Sequence, residues 1–175
     1  MSKINLSKDL KSILKKGEDH KTEFKEEVYK KLDREIVAFA NASGGKIYIG
    51  ITNEGKIKGI NITSRLKGQI ENIAKNCDPK ISISFQEIKK EKVLIVEIEE
   101  SKKKPHRCSS GYYIRSGSTS QKLKSEEIRD FMEEEDLLNF DKVPCKEFDF
   151  KKDFDKEKLF SFMDRTGIKY SRKNY

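Results

Sequence analysis

The chain has 175 residues, of which 34% are hydrophobic and 39% are charged, and a formal net charge of +8 at pH 7. This length suits one domain with its own core, and the basic balance favours an anionic partner, because clustered Lys and Arg attract phosphate. The first residues lack the apolar segment of a signal peptide, and no apolar run approaches the roughly 20 residues that span a bilayer. The sequence therefore excludes a membrane-spanning protein and predicts a cytoplasmic one.

The first third of the chain predicts two helices on either side of a short strand. Residues 6–14 carry apolar side chains at helical spacing ahead of Gly17, which ends the helix. Residues 22–27 alternate between apolar and polar and predict a strand. The apolar positions of residues 32–42 predict a second helix, which ends in the glycine-containing segment 41–45.

The strand at residues 22–27 has two different faces. Phe24 lies on the inward face, whereas Glu23 and Lys25 share the other face. The strand is therefore expected to contact the core through Phe24 and to present its acid and its lysine on the opposite side.

Two hairpins are predicted further along the chain. Residues 46–51 read as a buried strand, and the turn residues 52–55 return the chain into a second strand at 56–60. Residues 81–85 and 93–98 also alternate, and they predict a hairpin that turns near Lys90. The resulting fold class is α/β (α+β), a mixed β-sheet with flanking helices.

The remaining elements are shorter or more isolated. A third helix is predicted over residues 63–76, ahead of a proline, and a short strand over residues 112–115 follows a basic loop. Ser125 is expected to cap a helix that carries acids in its first turn. A last helix is predicted from Asp155 to Thr166.

Several short motifs occur in a characteristic order along the first three quarters of the chain. They are Thr22-Glu23-Phe24-Lys25, the block from Ala38 to Ile51, the segment from Gly55 to Ile60, Pro105-His106-Arg107, and the segment from Gly111 to Ser118. In this order and spacing the chain resembles the Schlafen AlbA-type domain, a nucleic-acid-binding α/β module. The resemblance covers roughly residues 10–135.

The resemblance carries expectations about domains and partners. It implies a Schlafen-core-like domain at residues 1–137 and a C-terminal extension with one helix at residues 138–175. In many similar proteins such a tail leads into ATPase-like and winged-helix segments, so the extension is compatible with the start of a further region. The implied partner is RNA or DNA, between which the sequence does not choose. The oligomeric state is left open, a homodimer included.

Acidic residues near the first strand predict a metal site. Convergent carboxylates bind Mg²⁺ or Mn²⁺ and so activate water on a phosphodiester, but Glu18 and Glu23 need a bend at residues 17–21 to converge. In the Schlafen nucleases that this sequence resembles, three acids form the site, at positions that correspond to Glu18, Glu23 and Asn53. The resemblance thus implies a catalytic set of these residues with Lys25, weakened because Asn53 is uncharged, unless Glu54 moves in.

Basic residues predict the contacts to phosphate. Lys25 and Arg115 suit phosphate contact better than base reading, because neither lies on a groove-reading helix. The densest basic cluster is the loop that begins with Lys102 and includes His106 and Arg107, and the alternative interpretation is a solvated loop. The predicted nucleic-acid-binding residues are Lys21, Lys25, Lys46, His106, Arg107 and Arg115.

Other cofactors find little support in the sequence. His106 and Cys108 could supply two zinc ligands, but no CxxC motif accompanies them, which argues against zinc. Three widely spaced cysteines also argue against a disulfide framework. The glycine pair at residues 44–45 lacks the phosphate-loop pattern, which argues against an ATP site.

Three functions compete. The first is a nucleic-acid-binding module without chemistry, which the resemblance, the basic charge and Asn53 favour. The second is a metal-dependent endoribonuclease that cleaves structured RNA such as tRNA through Glu18 and Glu23. The third is a regulatory protein-interaction domain whose basic surface is incidental. The alternative to the metal site is that Glu18 and Glu23 are solvated surface acids beside Lys21 and Lys25.

Overall fold

A computed structural model of the chain describes residues 6–134, 147 and 149–167. The chain divides into two compact units, Met1–Leu138 and Asn139–Tyr175. Among the described residues, no helix is long and apolar enough to cross a membrane.

The first unit is built on a four-stranded sheet. Its strands are β1 (Thr22–Lys25), β2 (Gly45–Ile49), β3 (Ile83–Ile88) and β4 (Val93–Ile98), in the order β1-β2-β4-β3. The helix that connects β1 to β2 makes these two strands parallel, whereas β2 and β3 both run antiparallel to β4. The predicted mixed sheet is therefore confirmed, and with it the α+β fold class.

Helices cover both faces of this sheet. They are α1 (Leu6–Lys16) on one face and α2 (Leu32–Asn41) and α3 (Ser64–Lys75) on the other, and a further helix, α4 (Ser125–Glu134), lies later in the chain. Ile47 and Ile49 of β2 enter a core with α2 and α3, whereas Tyr48 points the other way into a second core with Leu10 of α1. Because side chains alternate along a strand, β2, β3 and β4 contribute to both cores, whereas β1 contributes Phe24 to the second core alone.

The two faces of β1 differ from the sequence prediction. Phe24 is buried as expected, but Glu23, predicted on the outward side, is buried as well. The prediction failed because the Glu23 side lies beneath α2 and a second sheet, which the pattern of residues 22–27 does not reveal. A charged side chain in such a position must find an opposite charge.

The second sheet has three strands and packs on α2. It consists of β5 (Arg107–Cys108), β6 (Gly111–Ser116) and β7 (Thr119–Lys122). The sequence predicted only the strand at β6, because β5 and β7 are short and polar. Of the two tyrosines in β6, Tyr113 enters the core, as one of them had to.

The predicted hairpin partner at residues 56–60 is wrong. After β2, only an isolated bridge pairs Ile51 with Ile57. Gly50 and Gly59 adopt φ of 105° and 74°, which turns the chain out of the strand conformation. The carbonyl of Gly50 therefore accepts from the N–H groups of Lys58 and Gly59 instead of continuing a ladder.

The second unit contains two described helices, α5 (Phe150–Asp153) and α6 (Lys156–Thr166). The Asp155 carboxylate caps α6 by accepting from the N–H groups of Glu157 and Lys158 at 3.0 and 3.1 Å. Gly167, with φ of 71°, ends the helix in the left-handed conformation. The helix predicted from Asp155 to Thr166 is confirmed.

We expect Gly44→Ala to destabilise the fold strongly. A Cβ at this position would lie 2.7 Å from the carbonyl oxygen of Ile98 and 2.8 Å from the nitrogen of Glu100, and φ is +72°. The expected loss is about 2–4 kcal/mol in the free energy of unfolding, measured by urea denaturation. The control is Gly68→Ala in α3, where no atom lies within 4 Å of the added Cβ. This control should gain about 0.5–1 kcal/mol, and equal effects of the two substitutions would contradict the prediction.

Candidate functional site

A cluster of buried charges lies between β1, α2 and β6. The pleat of β1 directs Glu23 and Lys25 to the same side, where the Lys25 ammonium donates to Glu23 Oε1. On β6, the Arg115 guanidinium comes within 2.6 Å of Glu23 Oε2, through Nη2. The Glu23 and Arg115 side chains are 7% and 1% exposed, so this ion pair is almost completely removed from water.

Arg115 is held from three directions. Its Nη2 donates to the backbone oxygens of Asp19 and Thr22, at 2.9 and 3.1 Å. Its guanidinium also lies 4.7 Å from the centre of the Phe39 ring of α2, within the range of a cation–π contact. One side chain thus joins the start of β1, the helix α2 and the second sheet.

Glu35 of α2 supplies the second carboxylate of the cluster. Its Oε2 accepts from the Ser120 hydroxyl and lies 3.5 Å from Arg115 Nη1. Its Oε1 accepts from the Tyr29 hydroxyl at 3.1 Å. With Glu23, Arg115 and Lys25, the cluster has two negative and two positive charges. Its members therefore neutralise one another.

The cluster leaves two buried atoms without hydrogen bonds. Both hydrogens of Arg115 Nη2 are used by backbone oxygens, so the contact to Glu23 Oε2 is ionic and not hydrogen-bonded. Glu23 Oε2 and Arg115 Nε have no hydrogen-bond partner. A buried acceptor left in this state makes the charged form of Glu23 more costly.

Burial raises the pKa of Glu23 above its ordinary value. The neighbouring Glu35 carboxylate adds to the increase, whereas Lys25 and Arg115 oppose it. Burial and the same Glu35 carboxylate also raise the pKa of Tyr29. The Tyr29 hydroxyl therefore keeps its proton and remains a donor to Glu35.

The three residues of the predicted metal site have separate surroundings. Glu18 Oε1 accepts the N–H of Phe24 at 2.8 Å and so closes the outer edge of β1. Asn53 is exposed in a turn whose Gly55 approaches Leu14 of α1, and α1 lies on the opposite side of the sheet from Glu23. No contact of the described residues joins Asn53 to either glutamate.

The donor set does not fit Mg²⁺ or Mn²⁺ in this arrangement. Glu23 is already neutralised by Lys25 and Arg115, and Glu18 is used by a backbone N–H. Within the described part of the chain, no group of three or more His, Cys, Asp or Glu side chains could hold a metal ion.

The His106 and Cys108 pair is also committed to other contacts. The His106 ring nitrogens lie 2.6 Å from Pro79 O and 2.6 Å from Ser101 Oγ. Cys77 and Cys108 are buried free thiols, and burial raises the pKa of Cys77 to about 12. Cys145 lies outside the described residues.

The structure does not gather the predicted phosphate contacts on one surface. Arg115 and His106 are buried, and Lys25 is paired with Glu23. Lys21 and Lys46 line one cavity of about 540 Å³, although Lys46 is paired with Glu97 at 3.2 Å. Arg107 pairs with Asp78 at 3.1 Å and is exposed.

A basic site that the sequence analysis did not predict lies beside Arg107. It is a cavity of about 360 Å³, here called the lysine-rimmed cavity, lined by Pro79, Lys80, Ile81, Ser82, Glu99, Glu100, Ser101, Lys102, Lys103 and His106. Two distant segments form it, because Asp78 and Arg107 exchange backbone hydrogen bonds of 2.9 and 2.8 Å. The sequence prediction missed Lys80, since no local pattern connects it to residues 102–103.

The lysines of this cavity are exposed and can contact an anion from solvent. Lys80, Lys102 and Lys103 have no ion pair with any residue that the structure describes. Of the two acids in the lining, Glu100 is paired with Lys104 at 2.6 Å, so Glu99 is left to oppose three cations. The cavity therefore offers an anion a favourable local field.

We expect Arg115→Met to cost about 3–5 kcal/mol in the free energy of unfolding at pH 7, because it leaves Glu23 and Glu35 buried against Lys25 alone. A glutamate with a raised folded pKa adds stability below its unfolded pKa, and this stability is lost as pH rises through the folded value. The loss in the variant should therefore shrink as pH falls from 7 toward the ordinary value of 4.5, as checked by urea denaturation.

The control for this prediction is Arg129→Met, which removes an exposed arginine of α4. It should change the free energy of unfolding by less than about 0.5 kcal/mol at either pH. An Arg115→Met variant with the same deficit at pH 7 and pH 4.5 would show that carboxylate burial is not the cause.

Comparisons with known proteins agree with the fold and the motifs. The chain matches the family model described as Schlafen, AlbA_2 over residues 18–124, which is more than half of its length. Among solved structures, it is similar to the DIP2311 protein from Corynebacterium diphtheriae, with a TM-score of 0.51 and 18% sequence identity. That similarity covers 73% of this chain and 28% of the other, and at this identity it shows the fold alone.

A search of curated proteins gave no match. The family match spans the first strand, α2, the lysine-rimmed cavity and the second sheet. It confirms the resemblance inferred from the motifs: this chain belongs to the Schlafen AlbA_2 family.

Proposed function

We propose that this chain binds nucleic acid through phosphate contacts at the lysine-rimmed cavity. One observation carries the proposal: Lys80 is brought beside Lys102 and Lys103 from a separate segment, and none of the three is paired within the described residues. Family membership and the net charge of +8 point in the same direction. Phosphate is the anion that such lysines meet on RNA and DNA.

The proposed binding is not selective for base sequence. The cavity is formed by the loops that precede β3 and follow β4, and its exposed cations are lysines. Lysine ammonium groups contact phosphates as point charges, so they position the chain without reading bases. RNA and double-stranded DNA should therefore compete for the same surface.

We expect the double substitution Lys102→Ala with Lys103→Ala to weaken binding to tRNA and to duplex DNA alike. Each lost phosphate contact should make the slope of log affinity against log salt less steep by about 0.7–0.9. Fluorescence anisotropy between 50 and 300 mM salt measures both the affinity and the slope.

The matched control is Lys11→Ala with Lys15→Ala, which removes two exposed positive charges from α1. It lowers the net charge equally, so a general charge effect would weaken binding as much as the test variant does. Equal weakening would reject the cavity as the site. An absence of salt-dependent binding in the unsubstituted chain would reject nucleic acid as the partner and favour a protein-interaction domain.

A metal-dependent endoribonuclease is the alternative proposal, and Glu23 supports it. Glu23 Oε2 is a buried acceptor without a hydrogen bond, but Arg115 lies 2.6 Å from it and Lys25 binds the other oxygen, so both cations would have to move away before Glu23 could hold a metal. The alternative predicts Mn²⁺-dependent cleavage of tRNA that Glu23→Gln abolishes. Cleavage products are measured by gel electrophoresis, with EDTA as the control. Equal cleavage in Mn²⁺ and EDTA, or none in Mn²⁺, rejects this alternative.

A further inference from the structure

The lysine-rimmed cavity contains a serine and a histidine in direct contact. Ser101 Oγ lies 2.6 Å from His106 Nε2, and the other ring nitrogen, Nδ1, lies 2.6 Å from Pro79 O. Ser101 and His106 both line the cavity. A hydroxyl, an imidazole and a third group that orients the ring are the parts from which activated serine nucleophiles are built.

The contact to Pro79 O determines which ring nitrogen of His106 carries a proton. Pro79 O is a carbonyl oxygen and can only accept, so His106 Nδ1 must carry a hydrogen and donate it. In the neutral ring, Nε2 is then the acceptor, and Ser101 Oγ donates its hydrogen to Nε2. This is the protonation state in which a histidine acts as a base toward a serine.

The pair is rigidly attached to the end of α2. The Ser101 N–H donates to Ala40 O at 3.0 Å, and the His106 N–H donates to Asn41 Oδ1 at 2.7 Å. Asn41 Nδ2 donates back to His106 O at 2.8 Å. The backbones of serine and histidine are therefore fixed by consecutive residues of one helix, which is the precision that a catalytic pair requires.

The imidazole is shielded, whereas the serine is partly open. His106 is 2% exposed, and Ser101 is half-buried at the cavity wall. The Lys103 N–H donates to Ser101 Oγ at 3.0 Å, which leaves the oxygen one further lone pair. A substrate in the cavity can thus meet the hydroxyl but not displace the base.

We propose that Ser101 is a nucleophile toward phosphate esters, with His106 as its general base. The choice of phosphate rests on the function proposed above, because Lys80, Lys102 and Lys103 at the rim favour an anionic substrate. A cavity of about 360 Å³ admits a phosphate with part of its ester group.

The reaction balances without a metal or a redox partner. Ser101 Oγ attacks phosphorus, the Oγ–P bond forms, and the bond from phosphorus to the leaving oxygen breaks. The Oγ proton passes to His106 Nε2 and then to the leaving oxygen. Water next attacks the phosphorus bound to Oγ while His106 takes its proton and returns it to Oγ, which breaks the Oγ–P bond, restores the serine and releases phosphate from a monoester or a phosphate monoester from a diester.

The experiment uses a fluorophosphonate probe on the full chain. Its phosphorus forms a bond to Oγ, the P–F bond breaks, fluoride leaves, and the hydroxyl proton passes to His106. Intact mass and peptide mapping locate the label and give its rate. We expect labelling at Ser101 at least about 100-fold faster than at Ser82, an exposed serine of the same cavity that has no histidine contact among the described residues.

Substitutions and the pH dependence of labelling distinguish a histidine that acts as a base from one that only supports the structure. Ser101→Ala should lose the label and Ser82→Ala should keep it, whereas His106→Gln should slow labelling about 100-fold. Because His106 is buried and its substitution could unfold the chain, labelling of the unsubstituted chain is also followed against pH. Its rate should fall in acid, where Nε2 binds a proton and cannot accept from Ser101.

The outcomes distinguish this proposal from the proposed function. If Ser101 is labelled no faster than Ser82, or if the labelling rate does not depend on pH, Ser101 is not an activated nucleophile. This holds even if the chain binds nucleic acid. If the chain is labelled rapidly but binds no nucleic acid, Ser101 is still a nucleophile and the function proposed above is rejected. A chain that hydrolyses 4-nitrophenyl acetate but not bis(4-nitrophenyl) phosphate overturns the assignment to phosphate esters.

Discussion

The ion pair of Arg115 and Glu23 is the constraint on which the rest of the first unit depends. Arg115 is the contact through which the second sheet, the edge of β1 and the Phe39 face of α2 meet. An almost fully buried guanidinium needs compensating carboxylates, which Glu23 and Glu35 provide. The acid of β1 consequently belongs to the interior of the fold, and the lysine paired with it is partly buried.

Helix α2 connects this interior cluster to the surface. Its middle supplies Glu35 and Phe39 to the charged cluster, and its last turn holds the backbone of Ser101 and His106 through Ala40 and Asn41. A helix that is buried along most of its length is stiff. It therefore fixes the geometry of both the charged cluster and the Ser101–His106 pair. The charged cluster and the lysine-rimmed cavity therefore share α2 as a common support.

The basic residues divide into two groups with different roles. Arg115 is buried against carboxylates, so its charge is not presented to a phosphate, and His106 is buried with its ring hydrogen-bonded to Pro79 and Ser101. Lys80, Lys102 and Lys103 are exposed and carry the positive field of the cavity. The net charge of +8 gives the excess of positive over negative side chains. Burial decides which of the positive side chains a partner can reach.

The sequence by itself determined the local elements, the family and the density of basic residues in the loop after β4. Helices α1, α2, α3 and α6 and the hairpin of β3 and β4 follow from periodicity and glycine stops, which act between residues close in the chain. Only the tertiary structure decided that Glu23 is buried and that residues 56–60 leave the sheet. The same is true of the meeting of Lys80 with residues 102–103, which depends on backbone hydrogen bonds between Asp78 and Arg107. Strand periodicity shows that a residue faces one side of a sheet, but what packs on that side is contributed by segments far away in sequence.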